Sequence, residues 1–60
     1  MKPKFELHPN DSNYDLIDKA AWQLLKCGLL AEAKAIHKEA CSYGYEFYAV
    51  LILLKKYVQV

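Results

Sequence analysis

The two glycines, Gly28 and Gly44, are the feature that most limits how this chain can fold. Each follows a run of residues in which apolar side chains recur every three or four positions. A glycine just after such a run readily adopts the left-handed backbone conformation that ends many helices. The glycines therefore predict one helix that stops at about Cys27 and a second helix that ends before Gly44. Because the turn between them is very short, the two helices are expected to form a hairpin.

The first helix should begin near Asn13. Ser12 and Asp15 have the spacing of a capping box, in which a side chain satisfies the free N–H groups of the first turn. Lys26 stands near the other end, where a positive charge complements the helix dipole. The apolar residues at helical spacing are Leu16, Ile17, Ala20, Ala21, Leu24 and Leu25.

The second helix lies between the glycines and carries a second stripe at helical spacing. The stripe consists of Leu30, Ala33, Ile36, His37, Ala40 and Cys41. Alanines at Ala33 and Ala40 would let two antiparallel helices approach closely.

The last sixteen residues, YEFYAVLILLKKYVQV, are harder to assign. Their aromatic and β-branched residues favour a strand, whereas their length, Ala49 and the leucines suit a helix. A strand here would have only the N-terminal segment as a partner, whereas a helix can cover the hairpin. We therefore predict an all-α domain over residues 1–60, with an extended arm at 1–12 and three helices within 13–60.

The stretch LLKCGLLAEAKAIHKEA resembles the central turn and second helix of a tetratricopeptide repeat. The matching positions are Gly28, Glu32, Ala33 and Ala40. The quoted stretch is 17 of the 60 residues, and the resemblance implies a close-packed helical hairpin with a role in protein interaction. Such repeats normally need about three copies to form a peptide-binding groove, so no groove residues are transferred to this sequence.

Composition limits the class of function. At 60 residues and 55% apolar, the chain is near the lower size limit for a single stable core, so disulfides, a metal or self-association is expected to assist folding. The formal net charge is only +1, and all eight basic residues are lysines. Without arginine and without a strong positive field, nucleic-acid binding is not favoured.

Metal binding and catalysis have little support in the sequence. His37 and Cys41 are four residues apart and share a helix face, and His8 and Cys27 could complete a zinc site. The closely spaced ligand pairs of strong zinc motifs are missing, so we predict structural roles for these residues and no metal or cofactor. The carboxylates have the spacing of solvated helix faces, and we predict no catalytic residues and no enzyme activity.

Cysteine usage and hydropathy indicate the cellular location. Cys27 and Cys41 are too few and too irregularly spaced for a secreted disulfide framework, and no signal sequence opens the chain. We expect reduced thiols and a cytoplasmic protein. The longest apolar run, Phe47 to Leu54, is about half the length that a membrane-spanning helix needs, so no membrane association is expected.

Aromatic residues crowd the last third of the chain and exceed what one hairpin can cover. An exposed aromatic surface bordered by lysine and glutamate is typical of a protein interface, although the same residues could simply fill a small core. We predict a protein-interaction module or regulator that forms a homodimer through its C-terminal helix. The alternative is a small nucleic-acid-binding regulator of the helix-turn-helix type. The predicted partner-binding residues are Tyr45, Phe47, Tyr48, Leu51, Ile52 and Tyr57.

Overall fold

A computed structural model describes residues 2–60, so residue 1 of the predicted arm lies outside the described part. Three helices follow one another along the chain: α1 (Asn13–Lys26), α2 (Leu30–Ser42) and α3 (Phe47–Tyr57). The predicted all-α class is confirmed, including the helical assignment of the C-terminal segment. Over residues 2–60 the β-structure consists of a single isolated bridge between Lys4 and Gln59.

The start of α1 is capped as the sequence predicts. Ser12 has an extended backbone, and its side-chain oxygen accepts a hydrogen bond from the backbone N–H of Asp15 at 3.2 Å. Just before this cap, the ammonium of Lys19 reaches back to the carboxylate of Asp11 at 2.8 Å. The turn residues that precede α1 are thus connected to its second turn.

Both α1 and α2 end in a Schellman motif. After α1, the N–H of Gly28 donates to the carbonyl of Leu25, and the N–H of Leu29 donates to the carbonyl of Leu24. After α2, Gly44 and Tyr45 repeat the pattern with bonds to the carbonyls at positions 41 and 40. The glycines have φ values of 78° and 66°, the left-handed region that glycine enters without a Cβ clash.

The turn after α2 has an additional constraint, because Tyr45 also has a positive φ of 56°. A left-handed conformation is unfavourable for a residue with a side chain, so neighbouring contacts must hold it. The side-chain amide of Asn13 donates to the carbonyl of Tyr45 at 3.0 Å, and the ring of Tyr45 lies 4.4 Å from that of Tyr14. These contacts place the start of α1 beside the end of α2, so the hairpin is antiparallel.

The core lies between the three helices and, among residues 2–60, contains only apolar side chains. Its alanines allow α1 and α2 to pack closely, as expected for Ala33 and Ala40. Leu25 and Leu30, which the periodicity placed on the buried stripes, are exposed instead, as is Cys41. Leu25 lies about 100° around α1 from fully buried Leu24, beyond the face that the other helices cover. The buried residues are Leu16, Ile17, Ala20, Ala21, Leu24, Ala33, Ile36, Ala40, Val50, Leu53, Leu54 and Val58.

The N-terminal arm is extended and pairs with the residues that follow α3. The N–H of Phe5 donates to the carbonyl of Gln59 at 2.9 Å, and the N–H of Gln59 donates to the carbonyl of Pro3 at 2.8 Å. Val58 is buried and Phe5 packs against the core. The helical part predicted for 13–60 therefore stops at Tyr57, because residues 58–60 leave the helix and meet the arm.

Candidate protein-binding face

Helix α3 has one face in the core and one face in solvent, and both are apolar. The inner face is formed by Val50, Leu53 and Leu54, all buried. On the other side, the side chains of Phe47, Tyr48 and Ile52 are 49%, 71% and 66% exposed. A small domain that leaves three large apolar side chains uncovered on one helix has a candidate binding surface.

We define the α3 outer face as Phe47, Tyr48, Leu51 and Ile52. These residues are three to five positions apart or adjacent, so they form one continuous patch over the first two turns of the helix. The rings of Phe47 and Tyr48 lie with their centroids 6.1 Å apart and are tilted by 60°, within the range of favourable aromatic pairs. Leu51 is half-buried, whereas the adjacent Ile52 is exposed.

A shallow cleft of about 210 Å³ borders the α3 outer face on the side of α2. Tyr43, which is 61% exposed, forms one wall, and Ile52 forms part of the other. The salt-bridged side chains of Glu39 and Lys56 lie at its polar edge. The apolar surface thus continues from α3 towards the end of α2.

The polar edge of the cleft is organised around the carboxylate of Glu39. One of its oxygens accepts a hydrogen bond from the hydroxyl of Tyr57 at 2.5 Å, and the other accepts one from the ammonium of Lys56 at 3.0 Å. These donors lower the pKa of Glu39, first through Tyr57 and then through Lys56. The same contacts with the carboxylate raise the pKa of Tyr57 and the pKa of Lys56. The cluster joins α2 to the last turn of α3.

Four of the six predicted partner-binding residues lie together, and two do not. Phe47, Tyr48, Leu51 and Ile52 form the α3 outer face. Tyr57 lies nine positions after Tyr48, which is about 180° around the helix, and its half-buried ring packs against the core. Tyr45 is also half-buried, with its ring against Tyr14.

Two features of this surface were missed by the sequence-based prediction. Tyr43 was counted among the C-terminal aromatic residues but not among the contact residues, and its place in the Gly44 turn brings it beside α3. Lys55 is exposed at the C-terminal end of the outer face, eight positions after Phe47 and therefore close to the same side of the helix. The helical spacing of Lys55 from Phe47 was the available signal.

The possible zinc ligands do not form a site. Within residues 2–60, no three side chains of histidine, cysteine, aspartate or glutamate come close enough to hold a metal ion. His37 instead has its Nε2 atom 3.8 Å from the carboxylate of Asp18 on α1, and both cysteines are exposed free thiols. Among the helices of residues 2–60, none has the length and hydropathy needed to cross a membrane.

No protein-family model, curated protein or solved structure matches this chain.

Proposed function

We propose that this chain is a small protein-interaction module that forms a homodimer through the α3 outer face. The observation that carries the proposal is the exposure of Phe47, Tyr48 and Ile52 beside a core that already contains the inner face of the same helix. Transferring one such side chain from water to an apolar contact is worth about 1.5–3 kcal/mol. For a 60-residue domain this is a large fraction of the stability of folding.

The size of the surface sets the expected affinity. Helix α3 has 11 residues, so it is about 16 Å long, and a contact limited to it falls at the small end of specific interfaces. We therefore expect a reversible homodimer with a dissociation constant in roughly the micromolar range. The resemblance of the hairpin to a tetratricopeptide repeat agrees with a role in protein interaction.

The cellular location in this proposal is the cytoplasm. Cys27 and Cys41 are both exposed and unpaired, and exposed thiols persist most readily where the redox poise is reducing. Regulation of another protein by this module would follow from competition between that protein and the second copy for the same face.

Nucleic-acid binding of the helix-turn-helix type is the weaker alternative. Lys55 and Lys56 are both exposed near the end of α3, and Lys56 is paired with Glu39, so this turn offers little free positive charge to a phosphate backbone. Phosphate contacts of this kind would give an affinity for DNA that falls steeply as salt is raised. Salt-dependent binding of a DNA duplex by monomeric protein would favour this alternative over the homodimer.

Sedimentation equilibrium from about 1 μM to about 1 mM tests the proposal, because this range brackets a micromolar dissociation constant. The chain should shift from monomer to dimer. Ile52→Ser should remain monomeric, whereas Leu25→Ser, which changes an exposed leucine on α1, should dimerise like the unaltered chain. A monomer at every concentration, or an Ile52→Ser variant that dimerises normally, would contradict the proposal.

A further inference from the structure

Trp22 is the largest exposed apolar side chain outside the α3 outer face. It is 62% exposed, although the residues two positions before and after it, Ala20 and Leu24, are fully buried. Trp22 therefore projects from the side of α1 that lies opposite the core. Tryptophan is usually well buried within a domain and is enriched among the residues that contribute most to binding. Its exposure makes this side of α1 a second candidate contact region.

Trp22 lines an open cleft between α1 and the N-terminal arm, which we call the Trp22 cleft. Its volume of about 460 Å³ is sufficient for one long side chain. The half-buried ring of Phe5 packs against the core and anchors the arm at this place. The arm contributes Phe5, Glu6 and His8 to the cleft, and α1 contributes Asp18, Lys19 and Trp22.

The charged groups of the Trp22 cleft favour a cation. The ammonium of Lys19 contacts the carboxylate of Asp11 at 2.8 Å, so its charge is already compensated. Within residues 2–60, the carboxylates of Glu6 and Asp18 accept no hydrogen bond. Asp18 has the Nε2 atom of His37 at 3.8 Å, and this group is charged only when it is protonated. Two carboxylates without a permanent counter-ion thus line the same cleft as an exposed indole ring.

An indole face together with carboxylates is well suited to a guanidinium group. Cation–π attraction is strongest on tryptophan, and a guanidinium can stack on the ring while its N–H groups donate to carboxylates at its edge. The ammonium of lysine is a compact point charge and is less suited to both contacts at once. All eight basic residues of this chain are lysines, so a second copy has no guanidinium to offer.

We propose that the Trp22 cleft binds an arginine side chain of a partner protein. The guanidinium lies on the indole ring of Trp22 and donates to the carboxylates of Asp18 and Glu6. The site is distinct from the α3 outer face, so the module holds its second copy and its partner at different places. Because the cleft is open to solvent, a short peptide should bind with a dissociation constant of roughly 1 mM, and more weakly as salt rises.

Titration with the tripeptide acetyl-Gly-Arg-Gly-amide tests the proposal. Trp22 is the only tryptophan of the chain, so its fluorescence reports on this cleft alone. The titration uses about 1 μM protein and peptide up to about 10 mM, tenfold above the expected dissociation constant. It is carried out at pH 8, where histidine is generally uncharged and does not compete for the carboxylates. The emission should change to saturation, and the indole N–H resonance should shift over the same range of peptide.

Peptides with citrulline or lysine in place of arginine separate charge from shape. Citrulline has nearly the shape of arginine without its charge, and its peptide should bind at least about fivefold more weakly. The lysine peptide should bind about threefold more weakly, because an ammonium lacks the planar fork. Equal affinity for the citrulline peptide would overturn recognition of a cation. Equal affinity for the lysine peptide would overturn the assignment to arginine.

Carboxylate variants locate the site. Asp18→Asn and Glu6→Gln should each weaken binding of the arginine peptide about threefold. Glu46→Gln, which removes an exposed carboxylate outside the cleft, is the matched control and should leave the affinity unchanged. All three side chains are exposed, so circular dichroism should show the same helix content for every variant. Equal weakening by the three substitutions would show a general effect of net charge and would overturn the site.

The outcomes for this site and for the dimer can be distinguished. Ile52→Ser changes the α3 outer face and should bind the arginine peptide as the unaltered chain does. A chain that stays monomeric but binds this peptide would contradict the proposed dimer and support the Trp22 cleft. Fluorescence and indole resonance that both stay unchanged up to about 10 mM peptide would overturn the proposed cleft, whatever the state of association.

Discussion

The two faces of α3 have similar composition and different environments. Val50, Leu53 and Leu54 are buried, whereas Tyr48 and Ile52, from the same three turns, are mostly exposed. The difference comes from the hairpin, since its alanine-lined helices pack closely and offer a narrow surface to a third helix. Hydrophobicity alone therefore does not assign a residue to the core in so small a domain. The assignment depends on the direction in which the side chain projects from the helix.

The largest expected effect comes from truncating the inner face. Leu54 is fully buried, so Leu54→Ala should lower the free energy of unfolding by about 2–5 kcal/mol. Ile52→Ala, two residues away on the outer face, should change the stability of the monomer by less than about 0.5 kcal/mol. Urea unfolding at low protein concentration measures both. Equal losses of unfolding free energy in the two variants would contradict the difference in burial between the inner and outer faces.

The next largest loss of stability is expected at Gly44, in the turn that leads into α3. Gly44→Ala adds a side chain at a φ of 66°, and we expect a loss of about 1–2 kcal/mol although no atom lies within 4 Å of the new Cβ. Gly44→Asn should cost less, because asparagine tolerates the left-handed conformation. Thermal unfolding of the two variants distinguishes backbone strain from crowding. If Gly44→Asn is the more damaging change, side-chain space rather than φ controls this turn.

A smaller effect, of opposite sign, is expected at the start of α3. The side chain of Glu46 makes no capping hydrogen bond, and aspartate is a much better N-cap residue. Glu46→Asp keeps the negative charge and should raise the free energy of unfolding by about 0.5–1 kcal/mol without altering either face. Ser12→Ala, which removes the existing cap of α1, is the reverse control and should lose about 1 kcal/mol. A destabilised Glu46→Asp variant would contradict the expected cap.

The smallest effect concerns the polar cluster at the edge of the cleft. Because the pKa of Glu39 is lowered by the fold, its contribution to stability is present above the unfolded pKa and is lost as pH falls through the folded pKa. The pKa of Tyr57 is raised, so its contribution is present below the unfolded pKa and is lost as pH rises through the folded pKa.

Tyr57→Phe should therefore lower the urea midpoint slightly near pH 7, and the difference from the unaltered chain should shrink at strongly acidic pH. Tyr43→Phe, at an exposed tyrosine whose hydroxyl is not one of the donors to the Glu39 carboxylate, is the matched control and should show no such pH dependence. A difference between the Tyr57→Phe variant and the unaltered chain that is constant from acidic to neutral pH would mean that the hydroxyl does not act through ionised Glu39.

Local signals explain which parts of the fold could be predicted. Ser12 and the two glycines act on neighbouring backbone groups, so the ends of α1 and α2 followed from the sequence. The position of α3 against the hairpin involves contacts between distant segments, Asn13 with Tyr45 and Glu39 with Tyr57, which the sequence did not reveal. Tyr57 was assigned to the same surface as Tyr48, although their spacing of nine residues already puts them on opposite sides of a helix.

Outside the helices, too, local conformation could be predicted and long-range pairing could not. The extended conformation of the arm followed from its prolines and its alternating apolar residues, but its pairing with Gln59 joins segments more than fifty residues apart. Periodicity locates an apolar stripe only to within about one residue. Leu25 was therefore placed on the buried face together with its neighbour Leu24. Its exposure became apparent only once the position of α3 was known.

The hydrogen bond between Asn13 and Tyr45 joins two segments that are distant in the sequence. Asn13 donates to the carbonyl of Tyr45, at the point where the chain turns into α3. Tyr45 has the left-handed backbone conformation that is unfavourable for most residues with a side chain. The turn into α3 is thus tied by one hydrogen bond to the first residue of α1. Loss of that bond would remove a support of the Tyr45 conformation, while the buried side chains of Val50, Leu53 and Leu54 would still hold α3 against the hairpin.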